Sequence, residues 1–411
     1  MRAAILSIGT ELTRGELTNT NASWLATRLT ELGFEVTRID CCDDDIPRIG
    51  ESLSTLVRDH GVIVSTGGLG PTTDDLTTEA FAKHAGVPLV RDEKQLEELE
   101  EKFRRFGRAM AENNKKQADF PKGSSVLPNP YGTAPGFEIA LGKARAFVMP
   151  GVPREMKPMF DDQVVPRIQA LSPRQSHQHR FVVLGKPESE VGLMLDGVEA
   201  AHPGVTIGYR AHFPEIEVKV LAKGSDEDDA KQRAEKASAV VRKILAPWIF
   251  GEGPGSVIDF AAQIFREKKL TLALAESCTG GLLSQLLTEQ PASDYFIGAA
   301  VTYANSAKTT LLRVPNGLIE EHGAVSAPVA KAMAEGARHV FGSDLAVAIT
   351  GIAGPTGGSA EKPVGLVHIA LATAAGTTPH ELQFRGDRFR IQRMAAYTAL
   401  KIATTYARAS R

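Results

Sequence analysis

The sequence has few cysteines: three among 411 residues, Cys41, Cys42 and Cys278. An odd count without a spaced framework excludes a disulfide scaffold and points to a reducing compartment. No CxxC pair occurs, which excludes a zinc ribbon. No run approaches the roughly 18 apolar residues of a membrane span, and the apolar stretch before Gly9 is too short for a signal peptide. Neither sign of charge dominates, since 47 Lys and Arg stand against 49 Asp and Glu, a net charge of −2. That balance removes the basic footprint of a nucleic-acid or anionic-lipid binder. These absences predict a cytoplasmic protein with neither nucleic acid nor membrane among its partners. What is present is ordinary for a globular chain: 43% hydrophobic and 23% charged residues, with length for two or three domains.

The pattern along the chain predicts an α/β protein in three parts. Residues 1–169 alternate buried-strand and helix segments, such as "AAILSIG", "NASWLATRLTELG" and "GVIVSTGG". That rhythm argues a parallel sheet covered by helices on both faces. Asn21 is the expected cap of the first long helix and Gly33 its stop. Leu96, Leu99, Phe103, Phe106 and Met110 recur at helical spacing within a charged, solvated segment. Residues 170–253 read as a small α+β connector: a polar linker "SPRQSHQH", a hairpin in "IGYRAHFPEIEVKVLAKG", then an amphipathic helix with an acidic start. "FGEGPGS" reads as a second linker. Residues 254–411 resume the α/β pattern and end in a helix from about Arg388.

Both large segments carry a buried strand that opens into a glycine-rich turn. "STGGLGPTTDD" (65–75) lacks the lysine of a P-loop and the third glycine of a dinucleotide fingerprint. Its glycines still let backbone amides approach an anion, as in a phosphate cradle. Asp74 and Asp75 beside such a cradle suit a Mg²⁺-like cation; alternatively, one of them caps the following helix.

The second turn is "AESCTGG", with Ser277 at the strand end and Gly280–Gly281 opening a helix. A serine hydroxyl needs a base, and no histidine lies in an equivalent strand-end turn. Lys308 in "VTYANSAK" follows another strand end, where burial or the positive helix end depresses a lysine pKa. Asn305 or Ser306 could cap that helix. The plainer alternative is a capping serine and a solvated lysine. Cys278 is the rival nucleophile, because a thiolate at a helix start is reactive, but free cysteines are usually buried fillers. His322 is expected to serve its loop rather than a triad.

"SIGTEL", "NTNASWLATRL", "STGGLGPTTDD" and "MPGVPREM" together resemble the N-terminal domain of the CinA family. "AESCTGG", "VTYANSAK", "GIAGPTGG", "EKPVG" and "GDR" resemble its C-terminal domain. The resemblance implies a molybdopterin-binding-like three-layer domain, a KH-like connector and a second α/β domain of the CinA C-terminal type. The middle segment lacks the GxxG clamp of an RNA-binding KH module, so it reads as a spacer.

For the C-terminal part the family implies nicotinamide mononucleotide (NMN) deamidation without a cofactor. Ser277 would be the nucleophile and Lys308 the base, with Tyr303 assisting. Thr350 and Arg388 match substrate-binding positions; Gly280, Gly351 and Gly354 would shape the pocket. Amides near Thr279, Gly280 and Gly281 would hold the oxyanion. For the N-terminal part it implies ADP-ribose pyrophosphatase activity with a divalent cation (Mg, Mn or Co). Gly67, Gly68, Gly70, Thr72 and Thr73 would surround phosphate. Asp74 or Asp75 would lie near the metal, and Asp44 matches a further acidic position. Thr10, Glu11 and Asn21 lie where they could also face this site. A non-catalytic nucleotide- or pterin-binding module is the alternative for this part. A homodimer is the family expectation.

Overall fold

A computed structural model describes every residue except 106, 108, 172–175 and 411. The chain divides into two compact units, 1–178 with 222–233 and 179–221 with 234–411. Each large sheet begins with an apolar strand that ends up at the centre of a parallel set.

In the first unit the sheet order is Glu35–Cys42, Arg2–Ile8, Val62–Thr66, Ala144–Met149, Gly136–Leu141 and Ser125–Leu127. The first four strands are parallel. The last two pair antiparallel, so the sheet is mixed rather than wholly parallel. The cause is a tight turn at 142–143 that returns the chain directly, with no crossover helix. Alternate side chains of the buried strands feed two cores, one on each face. Ile49, Leu53, Leu56 and Phe81 cover one face; Leu25, Leu29, Met156 and Phe160 cover the other. The result is a three-layer α/β fold.

Asn19, not Asn21, caps the helix Thr20–Glu31, its side chain accepting from the Ala22 amide at 3.1 Å. Asn21 is thereby placed inside the first turn. The charged helix spans Glu93–Arg105. Met110 lies beyond it, and Phe106 is outside the described residues.

The middle sheet has the order Val205–His212, Glu215–Lys223, Ser176–Leu184 and Ile249–Glu252. Both expected linkers are shortened by strands. Residues 172–175 lie outside the described part, but the polar 176–179 stretch begins a strand. "FGE" of the second linker lies in the strand Ile249–Glu252. Backbone pairing there outweighs side-chain polarity. Val182, Leu184 and Phe250 share a core with Val257, Ile258 and Phe265 of the C-terminal segment.

The C-terminal sheet runs Phe296–Val301, Leu272–Glu276, Leu345–Gly351, Leu366–Thr373, Gly376–Gln383. Its first three strands are parallel and its last two antiparallel. The edge strand Gly376–Gln383 escaped sequence reading because it is polar and holds Pro379, which an edge tolerates. The helix Asn316–His322 escaped because it buries no residue.

One face of this sheet presents alanines, including Ala273, Ala275, Ala346 and Ala348, to the helix Ala327–Phe341. Small side chains bring that helix close. Gly336 on it lies so near the end of the helix Asn305–Leu312 that a Cβ would sit 2.0 Å from the Leu312 carbonyl oxygen. Gly336→Ala is expected to cost about 1–3 kcal/mol through forced backbone movement. A lowered thermal midpoint in differential scanning calorimetry supports this packing; an unchanged midpoint contradicts it.

Candidate active sites

In both large sheets the first strand has its later parallel neighbours on opposite sides. Such a reversal opens a crevice beyond the carboxyl ends of the strands. Both glycine turns sit there.

In the C-terminal crevice the local fold is set by Glu276, which is fully buried. Its carboxylate accepts from the amides of Leu283 at 3.1 Å and Ser284 at 2.8 Å, and from the Ser284 hydroxyl at 2.6 Å. The intervening residues 277–281 must therefore turn back sharply, with Gly280 and Gly281 at positive φ. Ser277 stands at the start of this turn, its amide donating to the Ile349 carbonyl at 3.0 Å.

Lys308 comes from the helix Asn305–Leu312. Its Nζ lies 3.2 Å from Ser277 Oγ and donates to the Thr302 carbonyl at 2.8 Å. The residue is 1% exposed, and burial pushes its pKa below the ordinary lysine value. Desolvation is the largest cause of that shift. Neither Asn305 nor Ser306 supplies a cap; Ala304 occupies that position without a side-chain bond. Cys278 packs in the hydrophobic core. Burial drives its thiol up to about 12, opposite to what a reactive thiolate requires.

The other predicted residues form a second cluster. Arg388 Nη1 donates to the Gly354 carbonyl at 2.9 Å and Nη2 to the Tyr303 hydroxyl at 3.0 Å. Tyr303 is 62% exposed. Thr350 is buried and donates to the Ala324 carbonyl at 2.8 Å. Gly351 ends the same strand, against Leu366 and Val367. His322 serves its loop: its carbonyl accepts from Lys362 Nζ at 2.7 Å, and its ring lies 3.5 Å from Glu321. Sequence reading missed the roles of Glu276, of Lys362 and of Gln392, whose Nε2 donates to the Cys278 carbonyl at 2.7 Å. Glu276 lies inside "AESCTGG", yet only the fold reveals what its carboxylate holds.

The N-terminal crevice is a cavity of about 700 Å³, whose lining includes Glu11, Asn21, Asp44, Gly67, Gly68, Gly70, Asp74 and Asp75. Gly67 has φ +110°, and a Cβ there would sit 1.9 Å from the Ile8 carbonyl oxygen. Only glycine permits this close crossing of two backbones. Thr10 donates to Asp44 through its amide at 2.8 Å and its hydroxyl at 2.9 Å. Thr72 donates to Asp75 through its amide at 2.8 Å, and its hydroxyl donates to Asp74 and Asp75. The Thr72 hydroxyl holds the Asp74 carboxyl below its usual pKa. Thr10 and Thr72 thus orient carboxylates, whereas Thr73 is exposed and lies off the cavity.

Neither Asp74 nor Asp75 caps the helix Thr77–Ala85; Leu76 stands at its N-cap without a side-chain bond. Asp75 instead folds back onto Thr72. Glu155, which sequence reading missed, also lines the cavity; it is 9% exposed and accepts from Asn129 Nδ2 at 2.9 Å. Asn21 Nδ2 donates to the Gly151 carbonyl at 2.7 Å, while its Oδ1 is buried without a partner. Among the described residues no three His, Cys, Asp or Glu side chains converge as a metal cage. Three separate aspartates and an orphaned amide oxygen along one cavity fit a cation shared with substrate phosphates, which needs only one or two protein carboxylates.

Three family models match the chain. "Probable molybdopterin binding domain" covers residues 4–170, "Damage-inducible protein CinA KH domain" 178–251, and "CinA C-terminal domain" 256–407. A CinA-like protein of Geobacter metallireducens is 46% identical over 97% of this chain and 98% of its own length. Another from Geobacter sulfurreducens is 44% identical over the same shares. A crystal structure of the protein CinA from Thermoplasma acidophilum is 36% identical, covers 39% of this chain and 94% of that one, and has a TM-score of 0.37. The full-length relatives, together with models that match almost end to end, show that the chain belongs to the CinA family.

Proposed function

We propose that the C-terminal domain hydrolyses the carboxamide of NMN by acyl transfer, yielding nicotinate mononucleotide and ammonia for pyridine nucleotide salvage. One observation carries this reading: the buried Lys308 amine 3.2 Å from Ser277 Oγ. A desolvated lysine reaches its neutral form below the usual pH and can then act as a base.

Lys308 Nζ takes the Ser277 Oγ proton as Oγ bonds to the carboxamide carbon, and the carbonyl electron pair moves onto oxygen. Hydrogen-bond donors aimed at that oxygen lower the barrier. The Gly280 amide already donates to the Ser277 carbonyl, and those of Leu283 and Ser284 to Glu276. The amides of Thr279 and Gly281 are therefore the ones assigned to the oxyanion. The C–N bond then breaks, and the Lys308 ammonium gives its proton to the departing nitrogen, which leaves as ammonia. Water attacks the ester; Lys308 accepts its proton and returns one to Ser277 Oγ. Tyr303, tied to Arg388, assists in holding the substrate, and no cofactor takes part.

For the N-terminal domain we propose hydrolysis of the diphosphate of ADP-ribose. The supporting observation is the single cavity that joins the Gly67–Gly68 backbone to Asp44, Asp74 and Asp75. Asp44 and either Asp74 or Asp75 would hold a divalent cation, whose bound charge would offset that of the diphosphate. The alternative is a nucleotide- or pterin-binding module without turnover.

Ser277→Ala and Lys308→Ala are each expected to lower ammonia release from NMN at least about a thousandfold, as for groups acting as one unit. Cys278→Ala is expected to retain turnover. Loss in Cys278→Ala with full activity in Ser277→Ala contradicts the assignment.

The base must be neutral, so kcat/KM should rise with pH through the lowered Lys308 pKa. The midpoint of that rise is expected below the ordinary lysine value of 10.5. A pH–rate profile with no such rise, or one centred at or above that value, argues against Lys308.

AMP release from ADP-ribose should require Mg²⁺, Mn²⁺ or Co²⁺ and fall in Asp44→Asn. No release with any of the three metals leaves the binding-module alternative.

A further inference from the structure

Beside the turn that carries Ser277 lies a cavity of about 300 Å³. Its walls include Thr279, Gly280 and Gly281 from the turn, and Phe389, Gln392 and Arg393 from the last helix, Arg388–Ala409. Neither Ser277 nor Lys308 is among its lining residues.

Two groups on this wall lack partners among the described residues. Thr279 is 4% exposed, and its hydroxyl makes no hydrogen bond. The Arg393 Nε is likewise buried and unbonded. Unpaired buried donors are costly, and both of these belong to residues that line one small cavity, which marks a place for an acceptor.

The charge of Arg393 is also uncommitted. Its guanidinium lies 4.9 Å from the centre of the Phe389 ring, which orients it without neutralising it. The acidic residues of the neighbouring cavity that Arg393 also lines each accept a hydrogen bond from another group. Glu215 accepts from the Val257 amide, Asp259 from Ser256, and Glu289 from Gln285. Arg388 differs, since it donates to Gly354 and Tyr303.

We infer that this cavity is the phosphate subsite of the mononucleotide substrate, with the Arg393 guanidinium and the Thr279 hydroxyl as its donors. A phosphate monoester presents several acceptor oxygens and a charge that matches an unpaired guanidinium. Gln392 links this subsite to the nucleophile turn through its bond to the Cys278 carbonyl. The inference rests on the NMN reading above.

The test compares ammonia release from NMN and from nicotinamide riboside, its phosphate-free nucleoside, in the full chain. Arg393→Gln is expected to shrink the kcat/KM preference for the nucleotide at least about tenfold, the scale of one charge-assisted hydrogen bond. The loss should appear in KM, with partial recovery in Arg393→Lys. An unchanged preference overturns the inference. Calorimetric titration of the full chain with inorganic orthophosphate separates the site from the reaction. Arg393→Gln and Thr279→Val should each bind one orthophosphate fewer than the unsubstituted chain, whether or not NMN is hydrolysed. Equal stoichiometry overturns the subsite and leaves the deamidase reading standing.

Discussion

A lysine amine kept out of water against a serine hydroxyl is the contact on which the C-terminal half depends. Water would stabilise the ammonium form of Lys308. Burial removes that stabilisation, and the Thr302 carbonyl fixes where the amine points. The surrounding fold supplies the geometry. Parallel strands bring Thr302 beside Glu276, whose carbonyl accepts the Thr302 amide at 2.7 Å. The Glu276 carboxylate folds the serine turn, and Gln392 holds its carbonyl side. Hydrogen bonds within the fold therefore bring the Lys308 amine and the Ser277 hydroxyl together.

The N-terminal half places the same device beside a different set of side chains. Again a glycine turn follows a buried strand at a topological reversal. Here the facing side chains are carboxylates rather than an amine. Thr10 and Thr72 orient three of them, as supporting hydrogen bonds commonly orient metal-binding carboxylates. Asn21 illustrates how local and distant forces divide the work. Asn19 takes the capping role two residues earlier, which frees Asn21 to reach Gly151 far along the chain.

The α/β alternation was legible because buried parallel strands are written as apolar runs such as Ala3–Leu6 and Leu272–Ala275. Ser277 and Lys308 were legible because strand-to-helix turns place functional groups at a sheet's edge, and the family motifs named the pair. Glu276 was not, since a carboxylate after an apolar strand reads equally as a solvated end; only the returning amides of Leu283 and Ser284 give it a place inside. The caps expected or allowed at Asn21, Asp74, Asp75 and Asn305 are absent for two reasons. Each is a good cap by type, but a neighbouring backbone or threonine group outcompeted the helix end, or the helix began a residue away. The edge strand Gly376–Gln383 shows the opposite limit, where pairing with Leu366–Thr373 imposes a strand on a polar stretch.

The proposed acyl transfer requires a covalent bond at Ser277. Acid-quenched NMN turnover followed by peptide mass mapping reads that bond directly. A nicotinate-mononucleotide ester on the Ser277 side chain is the predicted result. An acyl group on Cys278, or turnover that proceeds undiminished in Ser277→Ala with no acylated peptide, would contradict it.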